Sequence, residues 1–331
     1  MSAIDSLVHR RRTTALDDFK ASPLLFLAHR VYAWSQFPVP APPTQQSPTD
    51  IRVVCISDTH NTHGTQPPLP AGDILLHAGD LTQSGTLPEL CDALAWLSVQ
   101  SHPIKVFIAG NHDGALAEPE TRAYIRQVYP ALTYLENDVV EVTVRKHTLR
   151  IYGSPYTPHY GTWAFQYPRF CPSNPRLSRT LLYTDHPSVA LWSRVPPRID
   201  VLLTHGPPLG HLDRGAGCDV LLSTLWRVHP RLHVFGHIHT ARGVERVSWD
   251  DVQPAFEAVC AYAAGAGARW TQFVKLVWRA VTAKLSTWWW GRRARRMWGR
   301  ETVLVNAASV GDGREDNERR GAIVVDLDLA S

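Results

Sequence analysis

Five short apolar runs in this chain each end on a carboxylate, an amide or an imidazole. This recurrence constrains the fold more than any other feature. Residues 51–57 run into Asp58-Thr59-His60, 73–77 into Gly79-Asp80, and 104–109 into Gly110-Asn111-His112-Asp113. Residues 199–204 stop at His205, and 232–235 at Gly236-His237-Ile238-His239. Runs this short, rich in Val, Ile and Leu, read as strands buried on both faces. Helical spacing fills the gaps. It places Leu90, Ala93, Leu94 and Leu97 on one face of 87–99, and Val220, Leu221, Leu225 and Val228 on one face of 219–228, with Asp219 as an N-cap. Such alternation predicts an α/β fold with a largely parallel sheet covered by helices. Residues 139–144 and 149–152 read as a hairpin, so the sheets are mixed. No internal repeat is present. Ligands bind beyond the carboxyl ends of strands in open α/β sheets, so the pattern itself places the site.

Asp58, His60, Asp80, Asn111, His205, His237 and His239 bring two carboxylates, one amide oxygen and four imidazoles to those ends. Imidazole suits Zn, Fe, Ni or Cu, whereas carboxylate and amide oxygens suit Mg, Ca or Mn. Seven donors exceed the needs of one ion. The mixed set fits two divalent ions such as Mn, Fe or Zn that share a carboxylate, with Asp80 as the bridge. Two ions about 3.5–4 Å apart can hold both oxygens of an in-line phosphoryl displacement and lower the pKa of a water between them. His112 directly follows Asn111. It is placed to protonate a leaving alkoxide, or to be oriented by Asp113. Gly79, Gly110 and Gly236 precede ligands, where a turn needs a small residue or a positive φ. Each piece is common alone: an isolated Asp-x-His is most often a satisfied loop pair, and Gly-Asp recurs in turns. The ordered set, each member directly after a strand, carries the metal reading.

The same residues resemble the signature of the calcineurin-like metallophosphoesterases, over roughly 51–240 and closing strands near 302–326. The resemblance implies a four-layer αββα sandwich. It also implies Asp58, His60, Asp80 and His239 on one metal, and Asp80, Asn111, His205 and His237 on the other. Between the motifs, ISDTHN (56–61), HAGDLT (77–82), GSPYTP (153–158), WAF (163–165), THGPPLG (204–210) and LHVFGHIH (232–239) resemble the metallophosphoesterase-domain-containing branch of animals and fungi. Some members of that branch carry Gly at the first His of the last motif and are weakly active; here His237 is intact. Other branches differ. Ser/Thr phosphatases continue their Gly-Asp with Asp-Arg-Gly, where this chain has Leu81-Thr82-Gln83-Ser84, and purple acid phosphatases place a Tyr where Gln83 stands. The branch resemblance thus implies phosphodiester cleavage, with a small phosphoester such as a cyclic nucleotide as substrate. His211 and Arg214, in the Gly/Pro-rich loop after His205, are candidates for binding it; a solvated loop is the plainer reading. Asn306, at the end of 302–305, could brace a ligand loop.

Outside these motifs, 331 residues at 44% hydrophobic suffice for one large domain with appendages. The division expected is an arm and Pro-rich linker over 1–49 and one domain over 50–331, with an insert at about 255–300. The linker, 38–48, is too Pro-rich to pack. The arm carries Arg10, Arg11 and Arg12 before an apolar run at 24–34. That run is far short of the ~20 residues of a membrane span; a membrane-surface or organelle role is one reading of it, and a flexible arm is the plainer one. Five Cys at irregular spacing build neither a disulfide framework nor a zinc motif, which points to reduced thiols and a cytoplasmic or nuclear setting. A net charge of +4 is too small to argue for nucleic acid.

The insert departs from the rest in composition. From Cys260 through Arg300 there are nine Lys/Arg, no Asp or Glu, and half of the 12 Trp. Trp270, Phe273, Val274, Val277, Trp278, Val281, Leu285, Trp288 and Trp289 recur at the spacing of one helix face, with Lys275 and Arg279 opposite. Three readings stay open: a helix packed on the domain, a helix in a membrane interface over 269–298, or a nucleic-acid contact through the arginines at 292–296. Two functions therefore compete. One is a metal-dependent phosphodiesterase. The other is a weakly active metal-binding scaffold that the insert brings to a membrane or partner.

Overall fold

Side-chain alternation along the buried strands decides how the layers stack. The computed structural model describes residues 14–36, 50–169, 186–261, 266–298, 301–311 and 319–328; the Pro-rich linker and Arg10–12 lie outside them. In chain order the elements are α1 (Ala15–Ala21), α2 (Pro23–Ser35), β1 (Ile51–Ile56), β2 (Ile74–His77), α3 (Leu87–Ser98), β3 (Ile104–Phe107), α4 (Pro119–Val128), β4 (Thr133–Tyr134), β5 (Asp138–Val144) and β6 (His147–Ser154). There follow β7 (Thr157–Pro158), β8 (Gln166–Tyr167), α5 (Pro187–Ser193), β9 (Val201–Thr204), α6 (Asp219–Val228), β10 (Leu232–Phe235), β11 (Gly243–Ser248), α7 (Val252–Cys260), α8 (Ala266–Trp298), β12 (Glu301–Asn306) and β13 (Ile323–Leu327).

The strands form a five-stranded sheet, β13-β1-β2-β3-β4, and a six-stranded sheet, β11-β12-β10-β9-β6-β5. Val53, Cys55, Leu76 and Val106 of the first sheet meet Val201, Leu203, Leu232 and Val234 of the second in one core. Val54, Ile56 and Leu75 point the other way, onto Leu90, Leu94 and Leu97 of α3 and Ile125 of α4. Leu202 and Phe235 pack against α5 and α6 through Trp192, Leu221 and Leu225. The result is the αββα sandwich. The one parallel sheet expected from alternation is instead two sheets face to face, because each strand's odd and even side chains serve different layers. Within each sheet the site-bearing strands are parallel, and β13, β11 and β5 add antiparallel edges. The expected hairpin is β5–β6, closing Val144 on His147. At α3, Thr86 and Glu89 form a capping box. At α6 the cap moves back one residue, to Cys218, whose Sγ accepts from the Leu221 amide.

The described part of the N-terminal segment, residues 14–36, packs on the domain rather than extending as an arm. Ala28 and Tyr32 of α2 are buried against α7 and α8 together with Phe256, Val259 and Leu276. The Tyr32 and Phe256 rings stack at 4.0 Å, and Tyr32 donates to Gln253 Oε1. Gln253 Nε2 in turn donates to Glu257, which also accepts from the Trp226 indole of α6.

The insert is the long helix α8, but it docks by a face other than the Trp stripe. Leu276 and Ala280 are fully buried, with Phe273 and Ala283 packed beside them. Of the stripe only Phe273 shares that face. Burial therefore predicts opposite responses on one helix. Leu276→Ala should cost about 2–5 kcal/mol, and Trp278→Ala less than about 0.5 kcal/mol. Thermal unfolding of the two variants checks which face docks; a larger loss for Trp278→Ala would reverse the assignment.

Candidate metal centre

The turns that carry the polar residues are unusually tight. Asp58, His60, Asp80 and His237 all sit at positive φ, between +41° and +68°, a region that costs a non-glycine residue energy and persists only when its surroundings enforce it. Two glycines make room for the carboxylates. A Cβ on Gly110 would lie 2.2 Å from Asp80 Oδ1, and one on Gly236 would lie 2.0 Å from Asp58 Oδ2. Backbone amides then fix those carboxylates: His237 N donates to both Asp58 oxygens at 3.1 Å, and His112 N to Asp80 Oδ1 at 2.8 Å.

All seven sequence-selected residues converge at the shared end of the two sheets. His239 Nε2 lies 3.2 Å from Asp58 Oδ1, and His60 Nε2 lies 3.6 Å from Asp80 Oδ2. His205 Nε2 lies 3.3 Å from the same Asp80 oxygen and 3.0 Å from Asn111 Oδ1. Two groups therefore form, Asp58-His60-His239 and Asp80-His205-His237, with ligand atoms all within 4.8 Å inside each. Asp80 Oδ2 faces both a histidine of the first group and one of the second. The tautomers follow from the partners. His60 Nδ1 faces the Thr82 carbonyl at 3.2 Å and His205 Nδ1 the Ala78 carbonyl at 2.8 Å, so each Nδ1 carries hydrogen. Their Nε2 lone pairs are left pointing at carboxylate and amide oxygens. Buried acceptors facing acceptors are unfavourable unless a proton or a cation lies between them.

The electrostatics fit that crowding. Burial holds His60 down at about 4 and His237 at about 3, as neutral rings. Burial also opposes charge on His205, but Asp80 and Asp58 outweigh it and push this histidine up to about 9. Burial works against Asp80 as well, yet its histidine neighbours hold it well below the usual carboxylate range. Without a cation, a proton on His205 balances the cluster.

His112 borders the centre. Its Nδ1 faces the Gln83 carbonyl at 2.8 Å, its ring is 4.7 Å from that of His60, and the Trp163 indole stacks on it at 4.2 Å. Together with His60 and Asp80 it makes a third close group. Asp113 does not orient it. That carboxylate is buried and accepts from the amides of Gly110, Leu81 and Thr82 and from the Thr82 hydroxyl, tying the Asp80 turn to the Asn111 turn. His211 and Arg214 do not face the cluster either. His211 is fully buried between Glu245 and Gln253, and Arg214 pairs with Asp18 of α1 at 3.0 Å. Both belong to the seam with the N-terminal helices, where a cavity of about 870 Å³ is lined by Asp18, His29, Arg214 and Glu245 and by none of the seven. Asn306 does brace a ligand turn, donating to the Ile238 carbonyl at 2.9 Å. Sequence reasoning missed the Gln83 carbonyl and Trp163, which hold His112, and Tyr160, whose ring lies 5.0 Å from His237. Only the WAF stretch offered a signal for any of them.

This centre, at the joined strand ends of an αββα sandwich, is that of a dinuclear metallohydrolase. The profile of the calcineurin-like phosphoesterase family matches residues 51–241, and the chain belongs to that family, whose chemistry is metal-dependent hydrolysis of phosphoesters. Among similar proteins, one named probable rhamnogalacturonate lyase C, from Emericella nidulans, is 39% identical over all of this chain but only 29% of its own length. Human metallophosphoesterase domain-containing protein 1 is 37% identical over 58% of this chain and 62% of its own. The chain thus spans less than two thirds of either relative. Of solved structures, TT1561 of Thermus thermophilus aligns with a TM-score of 0.42 at 12% identity, over 60% of this chain and 85% of that one.

The residues present fit two divalent ions. Lone pairs converge, the donors are fixed by their backbone partners, and Asp80 lies between the groups. Two outcomes are expected. Because His205 stays protonated up to about pH 9 in the metal-free protein, loading a metal must displace its proton. Manganese affinity should rise by up to tenfold per pH unit, about, between pH 7 and 9, and then level off. Titration calorimetry in buffers of different ionisation enthalpy reads the released proton; heats independent of buffer would remove His205 from the ligand set. Asp80→Ala should lower metal content and turnover together. Retention of two ions per chain by elemental analysis would refute the bridge.

Proposed function

We propose that the chain hydrolyses a small phosphodiester, with cyclic nucleotides as the first candidates and Mn, Fe or Zn as the ions. The ions would be held by Asp58, His60, Asp80 and His239 on one side and by Asp80, Asn111, His205 and His237 on the other. When bound, the pair supplies charge neutralisation at phosphorus and an activated water near neutral pH.

His112 carries the reading. A diester's leaving group is an alkoxide that must gain a proton as the P–O bond breaks. With Nδ1 engaged by the Gln83 carbonyl, Nε2 is the nitrogen free to give that proton. The Trp163 indole fixes the plane of the ring while remaining 44% exposed. The broken P–O bond leaves an alcohol and a phosphate monoester, which for a cyclic nucleotide are two ends of one ring-opened product. The stretch after Asp80 supports a diester over a phosphoprotein: Leu81 and Thr82 are buried and spend their amides on Asp113 rather than offering a phosphate site. His237, intact and in the cluster, supports catalysis over a scaffold role.

His112→Ala should keep both metals and lose about 10²–10⁴-fold in turnover on cyclic nucleotides. On bis(p-nitrophenyl) phosphate, whose leaving group needs no proton, the loss should be much smaller. Equal losses on both substrates would count against the acid role.

A further inference from the structure

We propose that the outward face of α8 is a docking surface for an anionic lipid bilayer, on which the helix lies parallel to the membrane plane. The helix is apolar on two sides. Phe273, Leu276, Ala280 and Ala283 occupy the side that packs on α2 and α7. Rotated from it by roughly 130° are Trp270, Val274, Val277, Trp278, Val281, Leu285, Trp288 and Trp289, exposed by between 36% and 80%. These eight large side chains form a continuous strip roughly 28 Å long. A monomeric soluble protein rarely leaves so long an apolar strip uncovered unless something binds it.

Charge identifies the occupant. The segment from Cys260 through Arg300 holds nine Lys/Arg and no acidic residue. By helical position Lys275 lies nearest the strip on one side and Lys284 on the other, with Arg279 further round; Lys275 and Arg279 are exposed, with Arg279 paired to the surface residue Asp251. The Lys284 ammonium lies over the ring of Trp34, itself 54% exposed on α2, so the patch continues onto the N-terminal helix. Trp and Val at the centre with cations at the edges is the arrangement that seats a helix among headgroups. A nucleic acid would use the cations and the Trp faces but leave the Val and Leu strip in water. A second copy would set two cationic faces against each other. Crossing is not at issue: among the described residues no helix is long and apolar enough to span a membrane.

The test is cosedimentation of the full chain with phosphatidylserine-containing and pure phosphatidylcholine vesicles at low and high salt, with analytical ultracentrifugation alongside. The chain should bind the anionic vesicles and lose about tenfold in affinity as salt rises and screening shortens. Trp278→Glu and Leu285→Glu, both at exposed positions, should each weaken binding by at least about tenfold with unchanged melting temperature and unchanged turnover of a soluble substrate. Lys275→Glu should weaken binding to the anionic vesicles and not change the melting temperature. No binding to anionic vesicles at low salt overturns the proposal. So does equal binding to neutral vesicles, or vesicle binding that survives Trp278→Glu. Self-association abolished by the same variants, without vesicle binding, would assign the face to a second copy. Oligonucleotide binding without vesicle binding would assign it to nucleic acid.

Discussion

Everything near the centre depends on holding lone pairs against lone pairs. Asp80 Oδ2 faces imidazole nitrogens from two different strand ends, and His205 Nε2 faces two oxygens at once. With neither a proton nor a cation between them these acceptors would repel, and water cannot reach them. The fold holds them in place by fixing each donor from behind. The Ala78 and Thr82 carbonyls take the Nδ1 hydrogens, backbone amides grip Asp58 and Asp80, and glycines at 110 and 236 let those carboxylates approach the neighbouring turn. Positive φ at four of the seven residues is the conformational cost of the same requirement.

That cost is shared by both sheets. The Gly236 amide donates to the His205 carbonyl, the Asp58 amide to the Gly79 carbonyl, and Ser57 bridges to Ala308 beyond β12. Asp113 ties two further turns together from beneath, and Arg242 donates to the carbonyls of Ala307 and Ala308. Under the ligands, His77 and His233 are buried and held down at about 3 by burial, each in contact with a threonine hydroxyl. They are neutral packing groups that happen to be histidine. Their presence shows why histidine count alone says little about a metal site.

The legible part of the site was the part written in residue types at strand ends. Asp58 through His239 could be named because a strand buried on both faces has a recognisable run, and its first polar residue must emerge at the edge. The division into two sheets was not legible from the runs themselves. Val53 and Val54 look alike in sequence yet face different layers, and only the family resemblance supplied the sandwich. His211 misled for a related reason. Its loop follows a ligand, but Glu245 of β11 and Gln253 of α7 claim both its nitrogens, and partners that far away in sequence leave no local trace. The partners of His112 are equally hidden, since a backbone carbonyl such as that of Gln83 has no residue type to read.

The helix α8 shows where periodicity stops being informative. A 3.6-residue stripe identifies an apolar face but not what covers it. The Trp and Val stripe was the stronger signal because its residues are large, yet the docking face is made of Phe273, Leu276, Ala280 and Ala283, two of them small. Small residues let α8 approach α2 and α7 closely, and close packing rather than side-chain size is what binds a helix to a domain. A helix with two apolar faces thus needs burial as well as period to be read: one face anchors it to the protein, and the other, with Trp270, Trp278, Trp288 and Trp289, stays exposed.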